Sequence, residues 1–292
     1  MTRFNFAPWL AALALLTAPV AVHAQSIPVT GGKLLLTGGV SQIEGAAGGG
    51  LTPWAVIGGY GSAGQFGGNV YATEVKTTDY KITSEGVLFS VDNRIELSAS
   101  RQSFDTQAVG AALGLGYGYT INQTTLGAKV RLVGDAVLDP DRWLPQISAG
   151  IQYKTNDRGG LVTALGARSD RGTDLYVSAT KLFLAQGLLL NATVRQTKAN
   201  QYGILGFGGI DDKYHTEFEA SAAYLLSKRL AIGAEVRSKP DNLAVAHEGA
   251  AYDAFVAYTL CKHLSLTVAY VDLGNIVTRR QTGVYVSLQA GF

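Results

Sequence analysis

One predicted strand carries three side chains with the chemical types of a hydrolase active site. His215, Glu217 and Ser221 supply a base, an acid and a nucleophile, and all three lie on one face of the strand predicted over 214–226. Ser221 is separated from His215 by roughly 20 Å at about 3.3 Å per residue. A catalytic triad needs hydrogen-bond contacts of about 3 Å. The spacing therefore favours a polar strand face, and we predict no enzyme activity.

The sequence also lacks a convincing ligand pattern for a metal ion or cofactor. His215, Glu217 and Glu219 are spread along one strand, too far apart to hold a single ion. The glycine-rich run at 45–50 is followed by Leu-Thr-Pro instead of the Gly-Lys-Ser/Thr of a phosphate-binding loop. We therefore predict neither a metal site nor a cofactor.

Charged residues at alternate positions are a stronger signal. In the strand predicted over 229–238, Glu235 and Arg237 alternate with aliphatic residues, as in a strand with one polar and one apolar face. In a barrel, such charges either set the ion selectivity of a water-filled pore or pair across the interior and close it. The sequence leaves both roles open. The charges predicted to face the lumen are Arg94, Glu96, Lys129, Arg131, Asp174, Arg195, Glu217, Glu219, Glu235, Arg237 and Asp253.

The last predicted strand shows the alternation most clearly. Every second residue from Val284 to Phe292 is apolar, and the positions between them are Tyr, Ser, Gln and Gly. One face of this strand therefore suits lipid and the other suits water.

The same pattern, followed back from Phe292, predicts twelve strands. Tight turns and long loops alternate between them, as in up-and-down outer-membrane barrels. We therefore predict an all-β, antiparallel up-and-down transmembrane β-barrel. The predicted strands are 67–79, 81–91, 94–104, 123–134, 143–154, 173–183, 187–198, 214–226, 229–238, 249–260, 263–273 and 282–292.

The amino-terminal stretch before residue 61 admits two further arrangements. A hairpin around the glycine-rich run would raise the number of strands to fourteen, whereas the same stretch folded into the lumen would leave twelve. Glycine weakens the interior of a strand, so twelve strands are favoured.

The first residues have the features of an export signal. Arg3 precedes an apolar run that ends in Val-His-Ala before Gln25, which predicts a signal peptide over 1–24. The predicted mature chain, 25–292, is then a single barrel domain in the outer membrane of a Gram-negative cell. Without Arg3 it has 23 of the 24 Lys and Arg residues against 22 Asp and Glu, so no strong positive field favours nucleic acid.

The composition also excludes a helical membrane protein. No mature segment reaches about 18 uninterrupted apolar residues, the length that a transmembrane helix requires. Crossing a bilayer then requires a closed barrel, because every backbone polar group must be paired within the protein. Cys261 is the only cysteine, so no intramolecular disulfide can form.

The chain terminus has the form of an assembly signal. A polar residue, then glycine, then two apolar residues precede the terminal aromatic residue, and an unpaired last strand can add to an open sheet edge. This pattern predicts recognition by the barrel-assembly machinery. The residues of the predicted signal are Gln281, Gly283, Val286, Leu288 and Phe292.

Four blocks resemble a proteobacterial family of outer-membrane β-barrel proteins that is known only as a domain of unknown function. They are EGAAGGGLTPWAVIGGYG at 44–61, GDAVLDPDRWLPQISAG at 134–150, the stretch 179–209 and KPDNL at 239–243. The resemblance runs from about residue 32 to the carboxy terminus. It implies an outer-membrane location and supplies no catalytic residue, substrate or partner.

These observations give two main hypotheses for function. The first is a small channel or transport barrel for an unidentified solute, and the second is a non-conducting barrel that is structural or presents its loops to a partner; an outer-membrane hydrolase ranks third. The expected partners are outer-membrane lipid, lipopolysaccharide and the assembly machinery. Arg279 and Arg280, predicted in the last outer loop, are candidates for contact with lipopolysaccharide phosphates. The oligomeric state is not indicated.

Overall fold

Twelve antiparallel strands close into a barrel in the computed structural model, which describes residues 33, 35–139 and 143–292. Each strand pairs with its neighbours in the sequence, and the last strand pairs with the first to close the ring. The predicted signal peptide, 1–24, lies outside the described residues. The barrel strands are β3 (Phe66–Thr77), β4 (Lys81–Val91), β5 (Ile95–Asp105), β6 (Thr120–Val133), β7 (Gln146–Asn156), β8 (Arg171–Phe183), β9 (Leu188–Thr197), β10 (His215–Ser227), β11 (Leu230–Arg237), β12 (Ala251–Cys261), β13 (Leu264–Ile276) and β14 (Arg279–Gly291).

Two short strands, β1 (Val40–Ser41) and β2 (Ala47–Gly48), form a separate hairpin before the barrel. The barrel therefore has the predicted twelve strands, and the alternative of fourteen is wrong. The glycine-rich amino-terminal stretch does not join the wall because it folds into the lumen, where nearly all of its residues are buried.

The connections define two ends of the barrel. At the end called here the short-turn end, β10 and β11 are joined by residues 228–229, and β12 and β13 by residues 262–263. The opposite, long-loop end carries the longer loops, two of which contain the short helices α1 (Gln107–Ala112) and α2 (Gly159–Ala164). Short 3₁₀ turns lie at Leu184–Gln186 and Asn200–Gly203. No helix in the described part of the chain is long and apolar enough to cross a bilayer.

The last connection at the long-loop end differs from the prediction. Residues 277–278 form a tight turn, so Arg279 and Arg280 are the first residues of β14 and do not lie in a long outer loop. Strands β13 and β14 pair almost to their ends, which leaves no room for such a loop. Both arginine side chains are largely exposed, and each has an acidic neighbour, Asp79 for Arg279 and Asp272 for Arg280.

The outer surface of the wall is an apolar band. Outward positions carry large exposed side chains such as Val87, Leu97 and Leu126, while the alternate positions point inward. Aromatic side chains border this band at both ends, as they do where transmembrane barrels meet the two membrane interfaces. Exposed examples are Tyr153, Phe218, Tyr252 and Tyr270 towards the long loops, and Phe66, Phe89, Tyr224, Tyr258 and Phe292 towards the short turns.

The chain terminus closes the barrel. The backbone of Phe292 exchanges hydrogen bonds with Gly68 of β3, at 3.0 and 3.1 Å, and its carbonyl also accepts the Tyr60 amide proton at 2.8 Å. Of the predicted assembly signal, Gln281 is buried inside the barrel, while Val286, Leu288 and Phe292 lie on the outward face. Recognition of these residues by assembly machinery stays a prediction.

Gly283 offers a test that separates closure from recognition. A Cβ at this position would overlap the Lys76 carbonyl oxygen of β3, so Gly283→Ala is expected to disturb the contact between the last and first strands. We expect at least a threefold lower yield of folded barrel when the urea-denatured chain refolds into lipid vesicles without any assembly machinery. The measurement is the fraction with heat-modifiable migration on gels.

A control for this test is Gly160→Ala, because a Cβ at Gly160 meets nothing within 4 Å. Its refolding yield is expected to match that of the natural protein. A normal yield for Gly283→Ala would show that this glycine is not required for closure.

Candidate functional site

The lumen is filled by residues 38–61, called here the plug. Its small residues pack closely, and Ala47, Ala55 and Ile57 are completely buried. Apolar plug side chains such as Leu51 and Trp54 contact apolar inward residues near the two ends of the barrel. In the described part of the chain, the two cavities beside these plug side chains each have a volume of about 20 Å³, too small for a solute.

Polar side chains of the wall bind the backbone of the plug. The Pro53 carbonyl accepts a hydrogen bond from Thr193 at 2.9 Å, and the Ala55 carbonyl accepts one from Ser148 at 2.6 Å. The Ile43 carbonyl accepts one from Ser84, also at 2.6 Å. These carbonyls have no strand partner, and a buried polar backbone group must be paired. The polar inward face of the strands thus supplies what the plug lacks.

A buried ion pair clamps two parts of the plug. Lys129 and Glu96 lie 3.0 Å apart, and the Glu96 carboxylate accepts the amide protons of Ala47 and Gly58 at 3.0 and 2.8 Å. Lys129 donates to the carbonyls of Ala47 and Trp54. Both charges therefore bind the plug as well as each other.

Six charged residues form a closed circuit, called here the ion ring. They alternate in sign, each contacts two residues of opposite charge, and all are at most 3 % exposed. Five belong to the wall, and Glu44 belongs to the plug. In order around the circuit the residues are Glu44, Lys154, Asp174, Arg195, Glu219 and Arg237.

The contacts in the ion ring are close. Lys154 Nζ lies 2.6 Å from Asp174 and also pairs with Glu44. Arg195 lies 3.2 Å from Asp174 and 2.5 Å from Glu219, while Arg237 lies 3.5 Å from Glu219. The three cations balance the three anions. Desolvation of such charges is costly, and only complete pairing offsets it.

An inward-folded loop, residues 199–209, covers the ion ring from the long-loop end. The Tyr202 ring lies 4.2 Å from the Arg237 guanidinium carbon, and the Tyr202 carbonyl accepts hydrogen bonds from Gln123 and Lys154. Gln201 and Tyr202 have φ values of 44° and 61°, a left-handed conformation that side chains other than glycine adopt only at some cost. The loop and the plug therefore close the ring from two sides.

Two residues of the loop between β11 and β12 hold the inward-folded loop. Both oxygens of Glu248 accept the Gln201 amide proton, at 2.7 and 2.9 Å, and Lys239 donates to the Gln201 side-chain oxygen at 2.7 Å. Burial raises the pKa of the Glu248 carboxyl to about 7, although Lys239 opposes that shift, and burial lowers the pKa of Lys239 to about 8. Asp241, whose carboxylate accepts the Glu248 amide proton, favours the raised value.

Docking of this loop is therefore expected to depend on pH. The docked Glu248 keeps its proton up to about pH 7, whereas a released carboxyl loses it near its ordinary value of 4.5. Because the docked form binds more protons between these values, docking weakens as pH rises across that window. We expect amide protection of residues 200–206 to be at least tenfold greater at pH 5 than at pH 7, measured by hydrogen exchange corrected for intrinsic rates.

The matched variant for this measurement is Glu248→Gln, which keeps the shape of the side chain but cannot titrate. It is expected to remove most of the difference between pH 5 and pH 7. An equal difference in the natural protein and in Glu248→Gln would assign the pH dependence to another group.

The structure brings most of the predicted lumen charges together inside the barrel. Arg131 lies at the short-turn end, 2.5 Å from Asp135, and Glu217 lies half-buried near the long loops, where it accepts a hydrogen bond from Ser238. Asp253 lies opposite Glu235 on the neighbouring strand. The buried members are Glu96, Lys129, Asp174, Arg195, Glu219, Glu235, Arg237 and Asp253.

Arg94 is the exception, and its predicted lumen position is wrong. Strand β5 begins at Ile95, so Arg94 belongs to the preceding turn and its side chain is exposed. Strand alternation does not apply to a residue in a turn, although Arg94 has the same parity as Glu96.

The structure separates the residues of the hydrolase hypothesis. Ser221 contacts Thr52, Trp54 and Glu235, and His215 contacts Asp211 at 3.1 Å. Neither set of contacts includes a hydrogen bond between Ser221 and a histidine. Among residues 33, 35–139 and 143–292, no group of three or more His, Cys, Asp or Glu side chains is arranged to hold a metal ion.

Two members of the ion ring are absent from the sequence-based set. Lys154 has the inward parity of Ser148 and Gln152, so alternation in β7 carried the signal. Glu44 had no such signal, because the glycine-rich segment around it shows no alternation. Its only indication was its place at the start of a block that resembles the family.

Two solved structures share this fold. The chain is 12% identical to a "KdgM porin", with a TM-score of 0.50, and the match covers 77% of this chain and 99% of that chain. A "KdgM porin in complex with disordered oligogalacturonate" is 13% identical, with a TM-score of 0.51 and the same coverage of both chains. At such identities the likeness shows the fold alone, an outer-membrane type of β-barrel.

One family model covers most of the chain. It is described as "Protein of unknown function (DUF3034)", and it matches residues 37–289, from the plug to the last strand. No curated protein matches the chain at a significant level. The match confirms the resemblance to an uncharacterised family, and the closed ring of twelve strands confirms the predicted β-barrel fold. The chain belongs to the DUF3034 family of proteins of unknown function.

Proposed function

We propose that the protein is an outer-membrane channel for a small solute and that its own plug closes it. A cleaved signal peptide exports the chain, and the apolar band spans the membrane. In the closed conformation the plug fills the lumen, and the solute passes only when the plug moves. The family and the fold support the outer-membrane barrel, while the solute and the gating belong to the proposal.

The observation that carries this proposal is the polar lining of the wall. In the closed form these polar side chains pair the plug backbone, and the same side chains can line a water-filled pore once the plug has moved, as in barrels with a polar interior. Water can replace the plug at these side chains, because each one is already a hydrogen-bond donor or acceptor. Buried inward residues of this kind at the middle levels of the wall include Thr73, Ser84, Ser100, Gln102, Gln123, Thr125, Ser148, Gln152, Ser178, Thr193, Ser221, Thr267 and Ser287.

The two similar folds are consistent with a channel, since both are porins and one holds an oligogalacturonate. Their ligand is not transferred to this chain. The shared property is a barrel wall of similar architecture.

The balance of charges in the ion ring favours a second function, a permanently closed structural barrel. Removing the plug would leave Arg237 and Lys154 without one anionic partner. If no other anion replaces Glu44, this loss holds the barrel shut. A hydrolase ranks behind both functions because Ser221 has no histidine among its contacts.

Single-channel recording separates the two main functions. The full-length mature protein, folded and inserted into a planar bilayer, is expected to show long closed periods that are interrupted by discrete conductance steps. Silence of both the natural protein and a variant with a displaced plug, with heat-modifiable migration confirming the fold, would contradict the channel and favour the structural barrel.

Three partner contacts complete the proposal. The assembly machinery would recognise Phe292 and the last strand during insertion, and lipid would cover the apolar band. The exposed guanidinium groups of Arg279 and Arg280 at the long-loop end would contact lipopolysaccharide phosphates.

A further inference from the structure

We propose that Arg237 and Lys154 form a binding site for the carboxylate group of the transported solute, and that Glu44 occupies this site while the channel is closed. The inference rests on the proposed channel function, and it assigns a class of solute to it: small organic anions with a carboxylate. Glu44 then acts as an internal substitute for the solute.

The contacts of Glu44 define the site. One of its carboxylate oxygens pairs with Lys154 of β7, and the other accepts a hydrogen bond from Arg237 Nη1 of β11 at 2.8 Å. Gln42, also in the plug, donates to the second oxygen at 3.1 Å. The wall thus offers two cations from separate strands to a single carboxylate, and both cations are fully buried.

Withdrawal of the plug leaves this part of the wall with excess positive charge. Of the ion ring, Lys154, Arg195 and Arg237 remain against Asp174 and Glu219, so three cations face two anions and the net charge is +1. Arg195 already contacts both remaining carboxylates. One more anion restores the balance, and the empty place is that of Glu44.

Arg237 loses a second partner when the plug leaves. Its Nη1 also donates to the Leu51 carbonyl at 3.0 Å, so an open channel frees hydrogen-bonding capacity of the guanidinium beyond one carboxylate oxygen. A guanidinium group can bind both oxygens of a carboxylate through parallel hydrogen bonds. A free carboxylate can therefore bind Arg237 at least as well as Glu44 does.

Occupation of this site by a solute would also promote opening. Glu44 and the solute compete for the same cations, so the solute binds only the form whose plug has moved. A ligand that binds one of two conformations shifts the population towards it. The channel would then open in response to the anion it carries.

The test restores the missing carboxylate from solution. Full-length Glu44→Ala, folded in lipid vesicles, vacates the position while it keeps the rest of the plug. Sodium acetate is expected to raise its melting temperature at concentrations at least tenfold below those at which sodium chloride does, and the neutral amide acetamide is expected to have no comparable effect. The natural protein, whose site is filled, is expected to show no such preference for acetate.

Two double variants locate the acetate. Glu44→Ala combined with Arg237→Gln is expected to lose the preference, because half of the site is gone. Glu44→Ala combined with Arg171→Gln is expected to keep it, because Arg171 is exposed and pairs with Asp170, not with Glu44. If Glu44→Ala does not fold, Glu44→Ser also removes the carboxylate and vacates the position, and it provides the background for each comparison.

The outcomes distinguish this inference from the channel itself. Equal effects of acetate and chloride, or a preference that survives loss of Arg237, would overturn the carboxylate site even if the protein conducts. Acetate-specific binding in a protein that never conducts would support the site and contradict the channel. In a conducting protein, acetate in place of chloride is expected to raise the open fraction of the natural chain at least threefold, and no rise would argue against opening by competition.

Discussion

Replacing Arg195 with leucine is expected to lower the free energy of unfolding of the barrel by about 3–5 kcal/mol, the usual effect of removing one partner from a buried ion pair. Arg195 donates to Glu219 at 2.5 Å and to Asp174 at 3.2 Å, and it also donates to Gln152 at 2.7 Å. Leucine fills much of the space but leaves both carboxylates short of a cation. The ion ring then holds three anions and two cations, so it carries one buried negative charge that no cation balances.

A matched surface arginine isolates the effect of burial. Arg171 pairs with Asp170 at 3.1 Å, but its side chain is 65% exposed, so solvent screens this pair. Exposed pairs contribute about 0–1 kcal/mol, and Arg171→Leu is expected to stay within that range. Urea titration of both variants in lipid vesicles, followed by tryptophan fluorescence, gives the two free energies. Similar losses for the two variants would mean that the ion ring is no more important than a surface contact.

The strands could be predicted because their signal is local. Alternation depends only on the wall having a wet face and a lipid face, and each strand reports it independently of the others. The faces predicted for 284–292 agree with the structure, in which Tyr285, Ser287 and Gln289 are buried and Val284 is exposed. Turn positions were less accurate, as Arg94 and Arg279 show, since parity does not reveal where pairing stops.

The sequence favoured the twelve-strand arrangement with this segment folded into the lumen, but it could not show which contacts hold the plug there. Its backbone is bound by side chains from many strands, for example Ser84 of β4 and Thr193 of β9, and such contacts leave no periodic pattern in the segment itself. A glycine-rich stretch is compatible with a loop, a hairpin or close packing. The structure selects close packing because the wall supplies hydrogen bonds to the plug carbonyls.

The sequence also could not show which of the lumen charges pair with one another. Glu96, Lys129 and Arg195 were expected inside the barrel. Alternation shows which face of a strand a side chain lies on, but it shows neither the position of that side chain along the barrel axis nor the residue that it pairs with. The two roles for these charges, setting the ion selectivity of an open pore and pairing across a closed interior, therefore stayed equal alternatives. The structure shows pairing in this conformation, and the circuit contains Glu44, which was outside the predicted set.

The plug and the inward-folded loop, which close the lumen from two sides, both contact the same two wall residues. Arg237 contacts Glu44 of the plug and packs against the Tyr202 ring of the inward-folded loop, while Lys154 contacts Glu44 and the Tyr202 carbonyl. Loss of the plug therefore also weakens the contacts that hold the inward-folded loop. This coupling predicts that the two obstructions move together, and that a change confined to the plug is enough to open the channel.

Gly48→Ala makes such a change and is expected to increase the open fraction of the channel at least tenfold. A Cβ at Gly48 would overlap the Thr52 carbonyl oxygen and crowd Pro53 and the Trp54 amide, so the turn between 48 and 54 cannot keep its shape. That turn carries Leu51 and Thr52, which bind Glu235, and its displacement pulls on Glu44 only four residues away. Single-channel recording gives the open fraction, and limited proteolysis of the plug gives its exposure.

Gly249→Ala is the matched control, since a Cβ there meets nothing within 4 Å, and it is expected to behave as the natural protein does. The wall should remain folded in Gly48→Ala, because its twelve strands pair with one another and not with the plug. Its polar side chains can then bind water, which is why release of the plug costs far less than unfolding of the barrel. Loss of heat-modifiable migration in Gly48→Ala would contradict this separation and make the plug an essential core of the fold.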